Sequence, residues 1–560
     1  MNLRSDLPVG SPRWATRRTQ WKALGLTDGD LDKPKVAVVN SSSGLAPCFS
    51  HLDPVAAAVK RSVEQAGGVA FEIRTVAPTD FIMSAGGRGG YVLSSRDLLA
   101  NDIEAVVDGA LLDGMVCLSS CDKTTPGQLM AAARIDVPTL VVSCGYQRSG
   151  TADGGEPADI EEVFVQAGHL ASGRTTFEGL CYLSSRAIRG PGVCTGMGTA
   201  NSMHIAAEAL GMARPGSTPV RANSERMWAA ADAAGATILD AIARDLRPRR
   251  VLTAGAFANA VMAMLAVSAS INTVKHLQAV AREAETDIDV YRLFEEYAKT
   301  VRPLAAVRPN GPDSIEMFED AGGARAVLHR LREYLHTGAL TVTGRTVSEE
   351  LLGAEVHDGQ TIRAVEHPRG DHPTVLVVRG SLAPDTAIVK LSVTERRTPD
   401  FRGPARVFED PAAAIETVEA GRVRRGEVLV LRGLGRLGNP GMGMASSVVF
   451  ALDGAGLAGH VAVVTDGQLS GLVNQGIVVG EVSPEAADDG PLRLLRDGDE
   501  IDIRLPDRRV DLLVDAEELD RRRSQDRRGT GTPGGRPAGW LSLYARSAEP
   551  LPKGATLRGR

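Results

Sequence analysis

Two hydrophobic rhythms divide this chain. From about residue 35 to 340, short apolar runs such as KVAVVNSSSG, DGMVCLSS and TLVVSCG alternate with longer patterns of helical period such as DPVAAAVKRSVEQAGG and SMHIAAEALG. A short, fully apolar run suits a strand covered on both faces, and strands that alternate with helices pair in parallel because the helix returns the chain to the same edge. An α/β domain with a largely parallel sheet is therefore expected. Beyond the polar stretch HDGQTIRAVEHPRGDHP the strands dominate: TVLVVRGSL, GEVLVLRG, HVAVVTDG, EIDIRL and RVDLLVD, separated by turn-rich segments. These predict a second, mostly β domain of barrel-like form. The division falls near residue 365, so the expected units are 1–365 and 366–560.

Composition narrows the partners. A net charge of -6 offers no electrostatic attraction to nucleic acid or to an anionic membrane surface. The one basic run, Arg521 to Arg528, is interrupted by Ser524, Gln525 and Asp526 and reads as a solvated helix end. MNLRSDLPVGSPRW lacks the apolar centre of a signal peptide, and no stretch has the length of a membrane span, so a cytoplasmic location is expected. In that compartment the six cysteines, at 48, 117, 121, 144, 181 and 194, are expected as thiols or metal ligands, not disulfides.

LSSCDKTTPG, residues 118–127, concentrates the chemistry. The chain has 63 basic residues, of which nine are lysine and 54 arginine, so Lys123 stands where arginine is the usual choice. A primary amine can change protonation or be covalently modified, whereas a guanidinium is a permanent planar cation. The plain alternative is a surface lysine in a loop. Cys117, Cys144 and Cys181 lie in or beside apolar strand-like runs and are expected in the core. Cys48 in LAPCFSH, Cys121, and Cys194 in GPGVCTGMGTANSM follow strands in Pro/Gly/Ser-rich turns, the last two before helices. A helix N-terminus favours the thiolate, and Pro126 fits the first turn after Cys121. Three thiolates aimed at one point could hold an iron-sulfur cluster with one iron position open, which suits a Lewis acid more than an electron carrier.

Longer motifs carry a resemblance. KPKVAVVNSSSGLAPCFSHL, CDKTTPGQLMAAARI, CTGMGTANSMHIAAEALG, MFEDAGGARAVL, GSLAPDTAIVK, FRGPARVFED, NPGMG, VTDGQLSG and VSPEAADDGPLRLLRDGD together resemble the dihydroxy-acid, phosphogluconate and sugar-acid dehydratase family, over nearly the whole chain. The resemblance implies an N-terminal α/β cluster domain under a C-terminal β-barrel, and a homodimer or dimer of dimers. It implies Cys48, Cys121 and Cys194 as ligands of a [2Fe-2S] cluster, with [4Fe-4S] as the alternative form. It further implies a magnesium site on Asp80, Asp122 and a carbamylated Lys123, and Ser470 in TDGQLSG as the base that takes the proton from C2 of a hydroxy-acid substrate. Without the resemblance Ser470 reads as an ordinary turn serine.

The chain departs from the family pattern on the substrate side. The family's P-G-M-x-E is Pro440-Gly441-Met442-Gly443-Met444 here, which removes a carboxylate from the magnesium site. Its Y-E-G is Gly433-Leu434-Gly435, its G-G-S-T-N is Ser268-Ala269-Ser270-Ile271-Asn272, and the arginine two positions before the serine is Gln468. The threonine after the serine's glycine gives way to Leu472 or Val473, and the glycine after Asp80 is Phe81. Three readings follow: a dehydratase of altered substrate scope with a weakened magnesium site, a cluster-bearing partner or redox-responsive binding protein without turnover, and a nicotinamide-binding loop at Gly433, Gly435 and Gly438 with Asp453 beyond.

Overall fold

Val36 to Val39 are shut off from solvent on both sides, and they mark the centre of the first unit. Strands β1 (Lys35–Asn40), β2 (Val69–Arg74), β3 (Gly114–Ser119) and β4 (Thr139–Ser143) form a sheet in the order β2-β1-β3-β4, with every pairing parallel. β1, β3 and β4 are buried along their whole length, while the edge strand β2 is only partly covered. The computed structural model describes residues 3–152, 155, 157–393, 400–471, 473, 476–526 and 538–557.

Parallel pairing requires helical returns, supplied by α1 (Leu52–Gln65), α2 (Asp80–Ala85), α3 (Gly90–Val107) and α4 (Thr124–Ile135). The alternation expected up to residue 340 stops earlier. After β4 come a small antiparallel sheet (Arg148–Thr151, Pro157–Ala158 and Ile188–Arg189) and then a run of helices, among them α5 (Thr199–Ala209) and α6 (Asn272–Glu283). Every residue of α5 is buried, so its apolar periodicity describes a central helix enclosed on all sides.

The second unit is built on strands β5 (Val375–Val378), β6 (Thr386–Lys390), β7 (Asp400–Phe408), β8 (Val428–Leu431), β9 (Ala462–Thr465), β10 (Ile477–Ser483), β11 (Glu500–Arg504) and β12 (Arg509–Leu512). Their order is β12-β11-β7-β8-β9-β10-β6-β5. Four of the seven pairings are antiparallel and the three central ones parallel. The ends meet: Arg379 N donates to Arg508 O and Val510 N to Arg379 O, both at 2.9 Å, which closes the barrel-like form. Period-2 alternation sorts the side chains. Leu376, Val378, Val428, Val430, Ala462 and Val464 fill the barrel, while Val375, Val377, Leu429, Leu431 and Val463 join the core of the first unit. In β11 and β12 the outward positions are polar instead, at Asp502, Arg504 and Arg509, because those strands face solvent. Among the described residues no helix is long and apolar enough to cross a membrane.

The C-terminal segment folds back onto the first unit. Arg96 of α3, fully buried, donates to Asp97 Oδ2 at 2.9 Å, Gly554 O at 2.8 Å and Ala555 O at 3.0 Å, while Asp97 Oδ1 accepts from Leu557 N at 3.0 Å. Tyr544 OH adds a bond to Ala555 O at 2.7 Å. Asp97→Ala would leave a buried guanidinium without its carboxylate, so a loss of about 3–5 kcal/mol is expected. A fall in the thermal midpoint relative to wild type checks this.

Candidate active site

Three loops leave the carboxyl edge of the parallel sheet and converge, because parallel strands place all their C-terminal ends on one side. Cys48 follows β1 and Cys121 follows β3. Cys194 follows Val193, whose N–H donates to Gly145 O at 3.0 Å and whose carbonyl accepts from Gln147 N at 2.8 Å, just past β4. The Cys48 and Cys121 thiols hydrogen-bond each other, and Cys194 lies near Asp122 and Cys48. The loop backbones are held from behind: Ser120 Oγ donates to Cys48 O, His204 Nε2 meets Ser120 O at 3.0 Å, and Asn201 Nδ2 donates to Cys194 O at 2.9 Å.

Burial and nearby groups oppose the thiolates at these positions. The bond with Cys48, then burial, then the carboxylates of Asp122 and Asp80 push Cys121 well up, and burial followed by Asp122 and Cys48 does the same to Cys194. A bound cation is what would turn these thiols into thiolates. Cys117 and Cys144 are buried as expected. Cys181 is not: it is exposed on the helix Phe177–Ser184, of which only Leu183 is buried.

Lys123 is no surface lysine; its side chain is fully buried. Nζ donates to Asp80 Oδ2 at 2.8 Å and lies 4.0 Å from Asp122 Oδ2. Burial works against its charge, but Asp80 and Asp122 overcome that and hold the amine above its usual value. Burial, followed by the neighbouring Asp80, pushes Asp122 up to about 7. Among the described residues Asp80 Oδ1 is buried without a partner. Among the described residues no three His, Cys, Asp or Glu side chains form a ready metal cage, and the Lys123 ammonium supplies the positive charge at this centre. The three residues suit a divalent cation only if that amine becomes a carbamate. Phe81, in the glycine's place, packs on Phe164 at 5.1 Å, and Phe164 stacks on Phe450 at 5.8 Å, so an aromatic series ties the Asp80 helix to α7 (Ser446–Gly454) of the second unit.

The half-buried Ser470 is carried to this centre by the second unit. Its N–H donates to Ser446 Oγ at 2.7 Å, and the preceding Leu469 O accepts from Asn272 Nδ2 at 3.2 Å. Asn272 Nδ2 also donates to Thr199 Oγ1 at 3.0 Å, and the Thr199 hydroxyl hydrogen-bonds Asp122. The backbone at Gly471 runs so close to this corner that a Cβ there would stand 2.3 Å from Ser270 Oγ and 3.0 Å from Thr199 Oγ1. Thr199 and Asn272 thus link Asp122 to the loop that carries the candidate base, and Ser446 holds that loop's backbone. The sequence does not mark Thr199, Asn272 or Ser446 for this part, since lone hydroxyls and amides carry no period or spacing that would single them out.

The departures from the family pattern also meet in space. Gln468 N donates to Gly443 O at 2.9 Å, Gly443 N donates to Leu434 O at 2.8 Å, and Met444 and Gln468 pair as a short ladder. Positions where the resemblance implies two carboxylates and an arginine form one neutral wall. Gln468 is fully buried, and among the described residues neither amide atom has a partner. Leu472 lies outside the described residues. The glycine-rich loop GLGRLG binds its own carboxylates: Gly433 N and Leu434 N donate to Asp466 at 3.0 and 2.9 Å, and Leu437 N and Gly438 N to Glu485 at 3.0 and 3.1 Å. Amides that a dinucleotide phosphate would need are therefore taken, and Asp453 ends a helix against His169 at 2.8 Å.

Comparison with known proteins bears on this arrangement. The dihydroxy-acid/6-phosphogluconate dehydratase N-terminal profile matches residues 33–350 and the C-terminal profile residues 360–555. A dihydroxy-acid dehydratase of Oleidesulfovibrio alaskensis is 40% identical over 91% of this chain and 92% of its own length. Those of Methanococcoides burtonii and Ignicoccus hospitalis are 37% and 38% identical, each over 99% of this chain and 100% and 99% of their own lengths.

Gly90 tests how tightly the Met444 loop is seated. A Cβ at Gly90 would lie 2.2 Å from Pro440 O, beside the contact between Gly89 and Met444. Gly90→Ala is expected to lift residues 439–444 away, seen as faster proteolysis at that loop and a lower thermal midpoint.

Proposed function

The chain belongs to the dihydroxy-acid/6-phosphogluconate dehydratase family, and from that membership we propose a hydro-lyase that removes water from a 2,3-dihydroxy acid or related polyhydroxy acid to leave a 2-keto acid. One observation supports it above the others: Cys48, Cys121 and Cys194 converge beside Asp122, which Thr199 and Asn272 tie to the Ser470 loop. A [2Fe-2S] cluster on the three cysteines, or [4Fe-4S] as the alternative, supplies a Lewis-acidic iron for a departing hydroxyl when bound.

The protein's own groups account for the rest. Ser470 Oγ, its own proton given up to solvent, takes the proton from C2; the bond from its N–H to Ser446 Oγ fixes the backbone that carries it. The 3-hydroxyl leaves with its electron pair, and the enol that remains tautomerises to the 2-keto acid. The magnesium site implied by resemblance fits poorly, because Met444 offers a soft thioether where magnesium prefers oxygen. No step is assigned to it.

The neutral wall of Leu434, Met444 and Gln468 shifts the substrate scope. Leu434, Met444 and Gln468 stand where the family pattern carries charged groups, and that loss of charge is the basis for the altered scope. The reaction is proposed to take place in the cytoplasm, in a homodimer or dimer of dimers. The same wall favours a second reading, a cluster-bearing partner or redox-responsive binding protein without turnover; an assay for 2-keto acid across sugar acids and branched-chain dihydroxy acids separates the two.

Anaerobically purified protein is expected to be brown, with iron and sulfide near two per chain; Cys194→Ser should abolish the colour, while Cys181→Ser, at an exposed site, should keep it. Ser470→Ala should cut turnover by roughly 10²- to 10⁴-fold with iron content unchanged. Calorimetric titration of Met444→Glu should show tighter magnesium binding than wild type, since the carboxylate restores a hard oxygen ligand.

A further inference from the structure

Lys275 lies on α6 and Glu481 on β10, in different units, and both side chains are wholly buried with Nζ 2.5 Å from Oε1. Lys275 Nζ also donates to Asn272 Oδ1, which leaves the amide nitrogen of Asn272 pointed at Thr199 Oγ1 and Leu469 O. The backbone of Glu481 holds the same loop from the other side, its N–H donating to Gly467 O at 3.2 Å. Glu481 has φ +57, a left-handed conformation unusual for a residue with a side chain, and it sits where the β10–β6 register breaks between Gly480 and Ser483. Such a bulge re-aims a side chain out of the regular alternation.

We propose that the Lys275–Glu481 ion pair is a positioning device that aims the Ser470 loop at Asp122 by fixing the Asn272 amide. The pair is poorly explained as a source of stability. Desolvating two charges offsets most of their attraction, and apolar side chains of like volume often replace such a pair at no loss. Among the described residues Glu481 Oε2 moreover has no partner, a cost that a purely structural contact would avoid. What an apolar pair could not do is choose which end of Asn272 faces Leu469 O. A cation on the amide oxygen makes that choice, because only the NH2 end can then donate to Thr199 and Leu469.

The experiment is hydrogen exchange by mass spectrometry on the full-length protein, with melting temperature and iron content measured in parallel. In Lys275→Met/Glu481→Met, amides in 466–471 are expected to exchange at least about 10-fold faster while the melting temperature and iron content are kept. Glu481→Gln retains an acceptor for Lys275 and should keep protection within about 3-fold of wild type. Unchanged exchange in the double variant overturns the proposal. So does a double variant that melts early and loses protection throughout the barrel, since the pair would then hold the fold rather than aim a loop. A loss in Glu481→Gln equal to that of the double variant would likewise overturn the latch. The consequence for catalysis rests on Ser470 as base, but the exchange readout needs no turnover, so failure of the dehydratase reading and failure of the latch are told apart.

Discussion

The middle strands of the barrel have no face that water can cover. Val428 and Val430 of β8 point into the barrel, and Leu429 and Leu431 point out of it, equally apolar. β8, β9 and β10 are therefore stable only with a second apolar surface against them, and the helices of the first unit provide it. Docking of the two units follows from that requirement. The loops at the seam, from Asp80 to Gly90 on one side and from Pro440 to Met444 on the other, are brought together by burial of strands some distance from the chemistry.

Inside the seam, buried ammonium groups connect segments distant in the chain. Lys123 joins the loop after β3 to Asp80, and Lys275 joins α6 to β10. Lys390 reaches from β6 to Ser268 O at 2.7 Å and Ala269 O at 2.9 Å; burial pushes its amine down to about 7, since it meets carbonyls and no carboxylate there. A compact ammonium with three rotatable donors suits such corners better than a planar guanidinium. The loop from Ser268 to Asn272 is thus held at one end by Lys390 and at the other by Lys275.

Much of this was legible beforehand. Short, fully apolar runs announced β1, β3 and β4, and the repeated runs after residue 370 announced the barrel, because burial on both faces leaves a pattern that only a covered strand satisfies. The loops of Cys48, Cys121 and Cys194 stood out by turn residues after strands, and the scarcity of lysine drew attention to Lys123. The same scarcity could have flagged Lys275 and Lys390, since a lysine inside an otherwise apolar helix or strand must find acceptors in the core. One expectation failed because local pattern carries no information on exposure: Cys181 lies in an apolar run that forms an exposed helix.

Strand runs, the two-part architecture, the cysteine loops and the family motifs were determined by the sequence itself, since each is written in side chains close together along the chain or in a period of two. Tertiary structure alone decided that Thr199 and Asn272 connect Asp122 to the Ser470 loop, that Glu481 pairs with Lys275, and that Leu434, Met444 and Gln468 share one neutral wall. Those contacts join residues separated by up to hundreds of positions, and which hydrogen bond a lone amide or hydroxyl makes is set by the neighbours that packing delivers, not by its neighbours in sequence.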